Sequence, residues 1–117
     1  METLKEKLAG FVKERDWDQY HNPKNLVLSL VSEVGELAEI FRWLTSEESS
    51  AAMETPQLAH QIEEELADVF NNLVLLAMKL KVNLLEVAEK KLDLNAVKYP
   101  KELWNGKSHI PKNNYKK

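Results

Sequence analysis

Apolar side chains recur at intervals of three and four residues through almost the whole of this 117-residue chain. That spacing matches the turn of an α-helix, about 3.6 residues. No stretch of four or more residues alternates between apolar and polar in the way that a half-buried strand requires. Only three glycines and four prolines interrupt the pattern. The periodicity therefore predicts an all-α fold, and a chain of this length forms one domain.

Breaks in the periodicity divide the chain into helices. Residue pairs that end in proline, Asn22-Pro23 and Tyr99-Pro100, interrupt it, and Asn83 interrupts it once more. We expect four main helices packed as a bundle. The first begins near Leu4 and ends near the stretch RDWDQYHNP, and the others lie near residues 24–44, 56–81 and 84–98. A short helical piece is expected near residues 46–53.

The C-terminal segment differs in composition from the rest of the chain. From residue 105 onward it reads NGKSHIPKNNYKK, with four lysines and no acidic residue. Glycine, proline and asparagine at this density favour an extended or disordered chain. We therefore expect a folded domain over residues 1–104 and a basic, flexible tail over residues 105–117.

Composition excludes several classes of function. The net charge is −3 and the isoelectric point about 5.6, which gives no support for nucleic-acid binding by bulk electrostatics. The chain has no cysteine, so it can form neither a disulfide nor a thiolate metal site. Its apolar runs are too short to span a bilayer, and its first residues lack the apolar core of a secretory signal. We expect a cytoplasmic protein that binds neither nucleic acid nor membrane.

The second and third predicted helices each carry a pair of acidic residues beside an apolar stripe. Glu33 and Glu36 are three residues apart and therefore share a helix face, as do Glu65 and Asp68. If the two helices pack as neighbours, four carboxylates meet in a partly buried cleft. The expected buried stripe of the third helix comprises Leu58, Ile62, Leu66, Val69, Leu73, Leu76 and Leu80.

Crowded carboxylates repel one another, and an unpaired buried carboxylate is costly. Arg42 and Lys79 do not lie one turn from the acids on the same stripe, so we expect a cation in their place. A ligand set of carboxylates alone favours Mg²⁺, with Mn²⁺ as a substitute, over zinc. Di-iron bundles use Glu-x-x-His pairs, and the three histidines, His21, His60 and His109, stand at none of the required positions.

Two classes of function remain open on these residues. Divalent ions held by carboxylates can activate water and neutralise a leaving oxygen, which suits hydrolysis of a phosphoanhydride. No glycine-rich phosphate loop is present, so the ions would carry most of the phosphate binding. Alternatively, the chain is a non-catalytic helical assembly module whose acidic cluster binds a structural cation or a basic partner.

The acidic pattern and its flanking sequence resemble a known family. The spacing Glu33-x-x-Glu36 and Glu65-x-x-Asp68 is similar to that of the MazG-like all-α nucleoside triphosphate pyrophosphohydrolases. The segments RDWDQYHNPKNLVLSLVSEVGELAEIFRW, EEELADV and KLDLNAVKYP resemble the dCTP pyrophosphatase branch, and the similarity covers about residues 4 to 100. The resemblance implies Mg²⁺-dependent cleavage between the α and β phosphates, which yields a nucleoside monophosphate and pyrophosphate, in nucleotide pool cleansing.

The resemblance also implies roles for individual residues. Glu33, Glu36, Glu65 and Asp68 would be the catalytic metal ligands. Separately from the resemblance, we expect one of these carboxylates, with Glu36 as the candidate, to accept the proton of the attacking water. The phosphates and sugar would be bound by residues of the fourth helix and its end, Lys91, Asn95, Lys98 and Tyr99. The base would meet residues from three segments, Trp17, His21, Trp43 and Asn72.

This chain departs from the family pattern at two base-pocket positions. Leu8 stands where the resemblance places a histidine, and Asn72 where it places a tyrosine. The departures leave the preferred base open. The family's members are dimers or dimers of dimers, so the resemblance implies a homo-oligomer, and the apolar stripes on several faces of the helices favour one too.

Overall fold

The computed structural model describes residues 1–107, and all the regular structure in that range is helical. Six α-helices follow in chain order: α1 (Glu2–Glu14), α2 (Pro23–Phe41), α3 (Ser46–Ser50), α4 (Pro56–Leu80), α5 (Leu84–Lys98) and α6 (Lys101–Trp104). Two short 3₁₀ turns, Asp18–Tyr20 and Ala52–Glu54, lie between them. The all-α prediction is confirmed.

The described chain forms two compact units, Met1–Val82 and a second unit from Asn83 onward. In the first unit, α2 and α4 form the most extensive helix–helix contact, and α1 packs on α4. The buried core is small and apolar: Val12, Leu26, Ala52, Ile62, Val74 and Ala77. This unit carries all four acids that the sequence singles out.

Side-chain caps explain where the helices of the first unit begin. Asn22 accepts a hydrogen bond from the Asn25 N–H at 2.8 Å, ahead of Pro23 at the first position of α2. Thr45 and Glu48 form a reciprocal capping box that starts α3. The N-cap of α3 at Thr45 requires a break in the helix before it. Accordingly, α2 ends at Phe41 and stops short of the predicted Leu44.

The second unit is built on α5. The Asn83 side chain accepts a hydrogen bond from the Glu86 N–H at 3.1 Å, which caps the first turn. The rings of Tyr99 and Trp104 meet edge to face, with their centroids 5.1 Å apart. This contact links the end of α5 to α6, a helix too short for the periodicity to predict.

The expected buried stripe of α4 is partly wrong. Ile62 is buried, but Leu66 and Leu80 are 50% and 51% exposed. Val74 and Ala77, outside the predicted stripe, are buried in their place. Contacts of α4 with α2, with α1 and with the 3₁₀ turn Ala52–Glu54 determine which of its side chains are buried, and the periodicity does not show these contacts.

Two other sequence predictions concern the ends of the chain and the membrane. Within residues 1–107, no helix is long and apolar enough to cross a bilayer. The predicted boundary between a domain at 1–104 and a tail at 105–117 stays a prediction, because residues 108–117 lie outside the described part of the chain.

Candidate functional site

Three acidic side chains from α2 and α4 meet in the first unit. Glu33, Glu36 and Glu65 each offer one carboxylate oxygen, and these three oxygens lie within 4.8 Å of one another. Two of the side chains come from α2 and one from α4. A cluster of this size is compact enough for three carboxylates to share one small cation.

A polar contact between the same helices fixes how they align. The Ser29 hydroxyl donates to the Asn72 side-chain oxygen at 2.7 Å. Glu33 follows Ser29 by one turn along α2, whereas Glu65 precedes Asn72 by two turns along α4. The two helices therefore run antiparallel, and this register carries the acids of α2 to those of α4.

Two carboxylate oxygens of the cluster are buried without a partner. Oε2 of Glu33 and Oε2 of Glu65 are inaccessible to solvent and accept no hydrogen bond. A buried polar atom without a partner costs about 1 to 3 kcal/mol, and more when the group is charged. The site therefore needs either a proton or a cation between these side chains.

The electrostatics of the cluster favour the protonated form of Glu33 when no cation is bound. Its pKa rises from 4.5 to about 7, first because it shares a hydrogen bond with Glu36 and then because it is partly buried. The charges of Glu36, Asp68 and Glu65 raise it further. Burial, followed by the charges of Glu36 and Asp68, also raises the pKa of Glu65.

Asp68, the fourth predicted ligand, flanks the cluster. Its side chain is exposed and lies outside the group of three, although its charge raises the pKa of both Glu33 and Glu65. Its backbone carbonyl accepts a hydrogen bond from the Asn72 side-chain amide at 2.9 Å. The assignment of Asp68 as a metal ligand stays a prediction.

A cavity of about 340 Å³ opens beside the carboxylates. Glu36 and Glu65 contribute to its wall. The rest of the lining is mostly polar and adds residues that the resemblance did not single out: Glu39, Ile40, Gln61 and Glu64. Both added glutamates have a basic neighbour: Glu39 pairs with Arg42 at 2.9 Å, and a Glu64 carboxylate oxygen lies 3.6 Å from Nε2 of His60. This cavity is the open side of the cluster, where solvent or a ligand can reach Glu36.

The predicted base-binding tryptophans both present exposed ring surface. Trp17 is 43% exposed, and its ring meets Phe11 edge to face at a centroid distance of 5.7 Å. Trp43 is 76% exposed, with the Arg42 guanidinium 4.5 Å from its ring centroid. Both rings are accessible to a ligand or to a second chain, and their assignment to the base stays a prediction.

The other two predicted base-binding residues have different surroundings. Asn72 is engaged with its oxygen on Ser29 and its amide on the Asp68 carbonyl, so it braces the two helices. His21 lines a second cavity of about 480 Å³ in the first unit. That cavity lies among α1, the segment that follows it, α2 and the C-terminal half of α4.

The predicted phosphate- and sugar-binding residues belong to the second unit. Lys91 and Asn95 lie on α5, and Tyr99 stands just beyond its end. The Tyr99 N–H donates to the Asn95 carbonyl at 2.7 Å, and the Lys98 amino group lies 5.3 Å from the Tyr99 ring centroid. Their roles stay predictions.

Comparison with known proteins agrees with this site. The model of the MazG nucleotide pyrophosphohydrolase domain matches residues 21–99, a range that contains all four acids. The chain belongs to the MazG nucleotide pyrophosphohydrolase family. The resemblance noted from the sequence is therefore confirmed.

Individual members of the family are similar over most of this chain. Bovine (Bos taurus) dCTP pyrophosphatase 1 is 42% identical over 106 residues, which cover 91% of this chain and 63% of the relative. The human (Homo sapiens) protein of that name is 43% identical over 103 residues, 88% of this chain and 61% of the relative. The chain thus spans about three fifths of the length of these curated relatives.

A solved structure supports the fold. The crystal structure of a pyrophosphatase from Archaeoglobus fulgidus superposes with a TM-score of 0.79 at 40% sequence identity. The match covers 86% of this chain and 92% of the archaeal chain. The MazG-type helical fold is therefore shared between the two.

The raised pKa of Glu33 predicts how stability of the metal-free MazG protein depends on pH. Between pH 4.5 and about 7 the folded state keeps a proton on Glu33 that the unfolded chain has lost. The free energy of unfolding should therefore fall as pH rises through this window. Urea unfolding in EDTA at pH 5 and pH 8 measures the fall, and Glu33→Gln should reduce it and be the more stable form at pH 8.

Glu63→Gln is the matched control for this experiment, because Glu63 is an exposed glutamate of α4. It should keep the pH dependence of the wild type. If the free energy of unfolding fell by the same amount between pH 5 and pH 8 in the wild type and in Glu33→Gln, Glu33 would not carry the proton.

Proposed function

We propose that this protein is a metal-dependent nucleoside triphosphate pyrophosphohydrolase. It would cleave between the α and β phosphates and release a nucleoside monophosphate and pyrophosphate, with deoxynucleotides such as dCTP as substrates, in cleansing of the nucleotide pool. The observation that carries the proposal is the convergence of Glu33, Glu36 and Glu65, two of them with a buried oxygen that lacks any partner. Membership of the MazG family supports the reaction type.

The donor set of the cluster fits a hard divalent cation. Glu33, Glu36 and Glu65 offer only carboxylate oxygens, which Mg²⁺ prefers, and Mn²⁺ can occupy the same kind of site. We propose Asp68, whose charge acts on both Glu33 and Glu65, as the fourth ligand. When bound, the cation would neutralise charge on the phosphates and make water a better nucleophile.

The protein's own side chains would divide the work by their exposure. Glu33 and Glu65 are half-buried and would hold the site together. Glu36 is the exposed member of the three and lines the cavity of about 340 Å³, so water can reach its carboxylate. We assign Glu36 the transfer of the proton from the attacking water, since a base must lie within hydrogen-bond reach of that proton.

Residues outside the cluster would bind the rest of the nucleotide. Lys91 would offset negative charge on the phosphates, and Asn95, Lys98 and Tyr99 would contact the phosphates and sugar. The exposed rings of Trp17 and Trp43 offer flat surfaces on which a base can stack. The names of the relatives, dCTP pyrophosphatase 1, support cytosine as the base.

We also propose that the protein works as a homo-oligomer, a dimer or a tetramer. The exposed side of α2 carries four valine and leucine residues at helical spacing, Val27, Leu28, Val31 and Val34. Apolar side chains of α5 are as exposed as those of α2 or more so, for example Val97 at 80%. Apolar area of this extent at regular spacing is typical of a surface that another chain covers.

Hydrolysis assays with single variants test the proposed reaction. Glu36→Gln should reduce kcat on dCTP with Mg²⁺ by about a hundredfold or more, since general-base catalysis contributes roughly that much. Glu63→Gln, an exposed amide substitution on α4, should leave kcat unchanged. Pyrophosphate release from a panel of nucleoside triphosphates measures both and reports the preferred base.

Two results would contradict the proposed reaction. Full activity of Glu36→Gln would show that Glu36 does not accept the proton of the attacking water. A wild-type protein that binds Mg²⁺ but releases no pyrophosphate from any nucleotide would favour the non-catalytic assembly module instead.

Sedimentation tests the oligomer separately. At micromolar concentration the protein should sediment as a dimer or tetramer, and Val31→Glu should shift it toward the monomer, because Val31 is 62% exposed on α2 in the single chain. Monomeric wild-type protein under these conditions would contradict the proposed assembly.

A further inference from the structure

The segment between α1 and α2 carries Trp17. Backbone hydrogen bonds to the last turn of α1 fix the beginning of this segment. Asp16 adopts a left-handed backbone conformation, with φ of 53°. The Asp16 N–H donates to the Lys13 carbonyl at 3.1 Å and the Trp17 N–H to the Val12 carbonyl at 3.0 Å. These are the two hydrogen bonds of a Schellman motif, and the contact of Trp17 with Phe11 is its usual hydrophobic companion.

The end of the segment is fixed as well. The Asn22 side chain caps α2 through the Asn25 N–H, and the Asn25 side-chain amide donates to the Tyr20 carbonyl at 2.9 Å. Between these two anchors lies the 3₁₀ turn Asp18–Tyr20. All of these bonds are local, so none of them ties the segment to α4.

One ion pair supplies that link. The Lys79 amino group donates to the Asp18 carboxylate at 2.8 Å, across 61 positions of the sequence. Every other ion pair among residues 1–107 joins positions four or fewer apart. The hydrogen bond and charge of Lys79 hold the pKa of Asp18 below its usual value.

The ion pair connects Trp17 to the helix that carries the catalytic acids. Lys79 lies in the last turn of α4, the helix of Glu65 and Asp68, and its side chain is only 34% exposed. Asp18 follows Trp17 directly and is the first residue of the 3₁₀ turn. Lys79 and Glu65 belong to the same helix, so the ion pair ties Asp18 to the helix that carries Glu65.

We infer that Lys79 is a positioning residue for nucleotide binding: by holding Asp18, it fixes the Trp17 ring relative to the carboxylates of α4. The inference rests on the proposed function, in which Trp17 contacts the base. It assigns Lys79 no contact with the substrate. The pair acts on binding of the base and leaves the groups that perform the chemistry untouched.

If the ion pair affects binding of the base but not the chemical step, its loss should change KM and leave kcat unchanged. Lys79→Met should raise KM for dCTP about two- to fivefold with kcat unchanged, since a partly exposed ion pair contributes up to about a factor of five. Asp18→Ala should have the same effect, and the double variant should be no worse than either single variant. Lys79→Arg should restore KM, because a guanidinium can make the same bond.

A lysine in the same cavity serves as the matched control. Lys13 lines the cavity of about 480 Å³ together with Lys79 and Asp18, and it takes no part in an ion pair of the described residues. Lys13→Met should leave KM unchanged. If Lys79 instead touched the substrate directly, Lys79→Met would raise KM whereas Asp18→Ala would not, and the inference would be overturned.

Fluorine NMR reports changes in the surroundings of the Trp17 ring in the absence of substrate. Protein labelled with 5-fluorotryptophan should give three resonances, and Trp17→Phe identifies one of them. In Lys79→Met and Asp18→Ala the Trp17 resonance should shift or broaden, whereas those of Trp43 and Trp104 should not. Unchanged far-ultraviolet circular dichroism would show that both variants remain folded.

The two readouts separate failure of this inference from failure of the proposed reaction. An unmoved Trp17 resonance in both variants overturns the inference whether or not the protein hydrolyses nucleotides. A moved resonance with unchanged KM shows that Lys79 holds the segment but does not govern binding, which also overturns it. Absence of hydrolysis by the wild type would defeat the proposed function and the kinetic part of the inference together.

Discussion

The antiparallel contact between α2 and α4 is the constraint on which the rest of the site depends. Both helices have to bury an apolar face, and each carries acids at the margin of that face. The bond between Ser29 and Asn72 sets their register, so packing brings Glu33, Glu36 and Glu65 together. The free energy of burying the apolar faces is therefore what overcomes repulsion among the carboxylates.

This repulsion gives the site two alternative partners, a proton or a cation. Without a metal, the shared proton on Glu33 relieves part of the charge, and the pKa of that side chain rises to about 7. A divalent cation would replace the proton and neutralise more charge, and it could also meet the two oxygens that lack a partner. The same crowding that destabilises the metal-free cluster would thus favour metal binding near neutral pH.

Much of this arrangement can be predicted from the sequence because helices impose a simple geometry. Two acids three residues apart beside an apolar stripe must face the neighbour that covers the stripe, which places Glu33 and Glu65 near each other. The periodicity does not predict which side chains are buried where contacts with other helices determine burial. Leu66 and Leu80 fit the apolar stripe of α4, yet both are half exposed, and Val74 and Ala77 are buried instead.

Interactions between distant segments are also beyond the sequence pattern. Neither the charge of Lys79 nor that of Asp18 indicates its partner, since 61 positions separate them and only the fold brings them together. Similarly, Asn72 matches a base-pocket position by sequence, but its side chain is engaged by Ser29 and the Asp68 carbonyl. Helix caps and acid pairs are local signals, whereas these contacts depend on how α4 meets the rest of the first unit.

Anomalous diffraction from crystals tests whether the crowded carboxylates bind a divalent cation. Crystals grown with Mn²⁺ and a non-hydrolysable dCTP analogue should show an anomalous peak within bonding distance of carboxylate oxygens of Glu33, Glu36 and Glu65. Density with no such peak, and with these side chains turned apart into solvent, would show that the carboxylates do not share a cation.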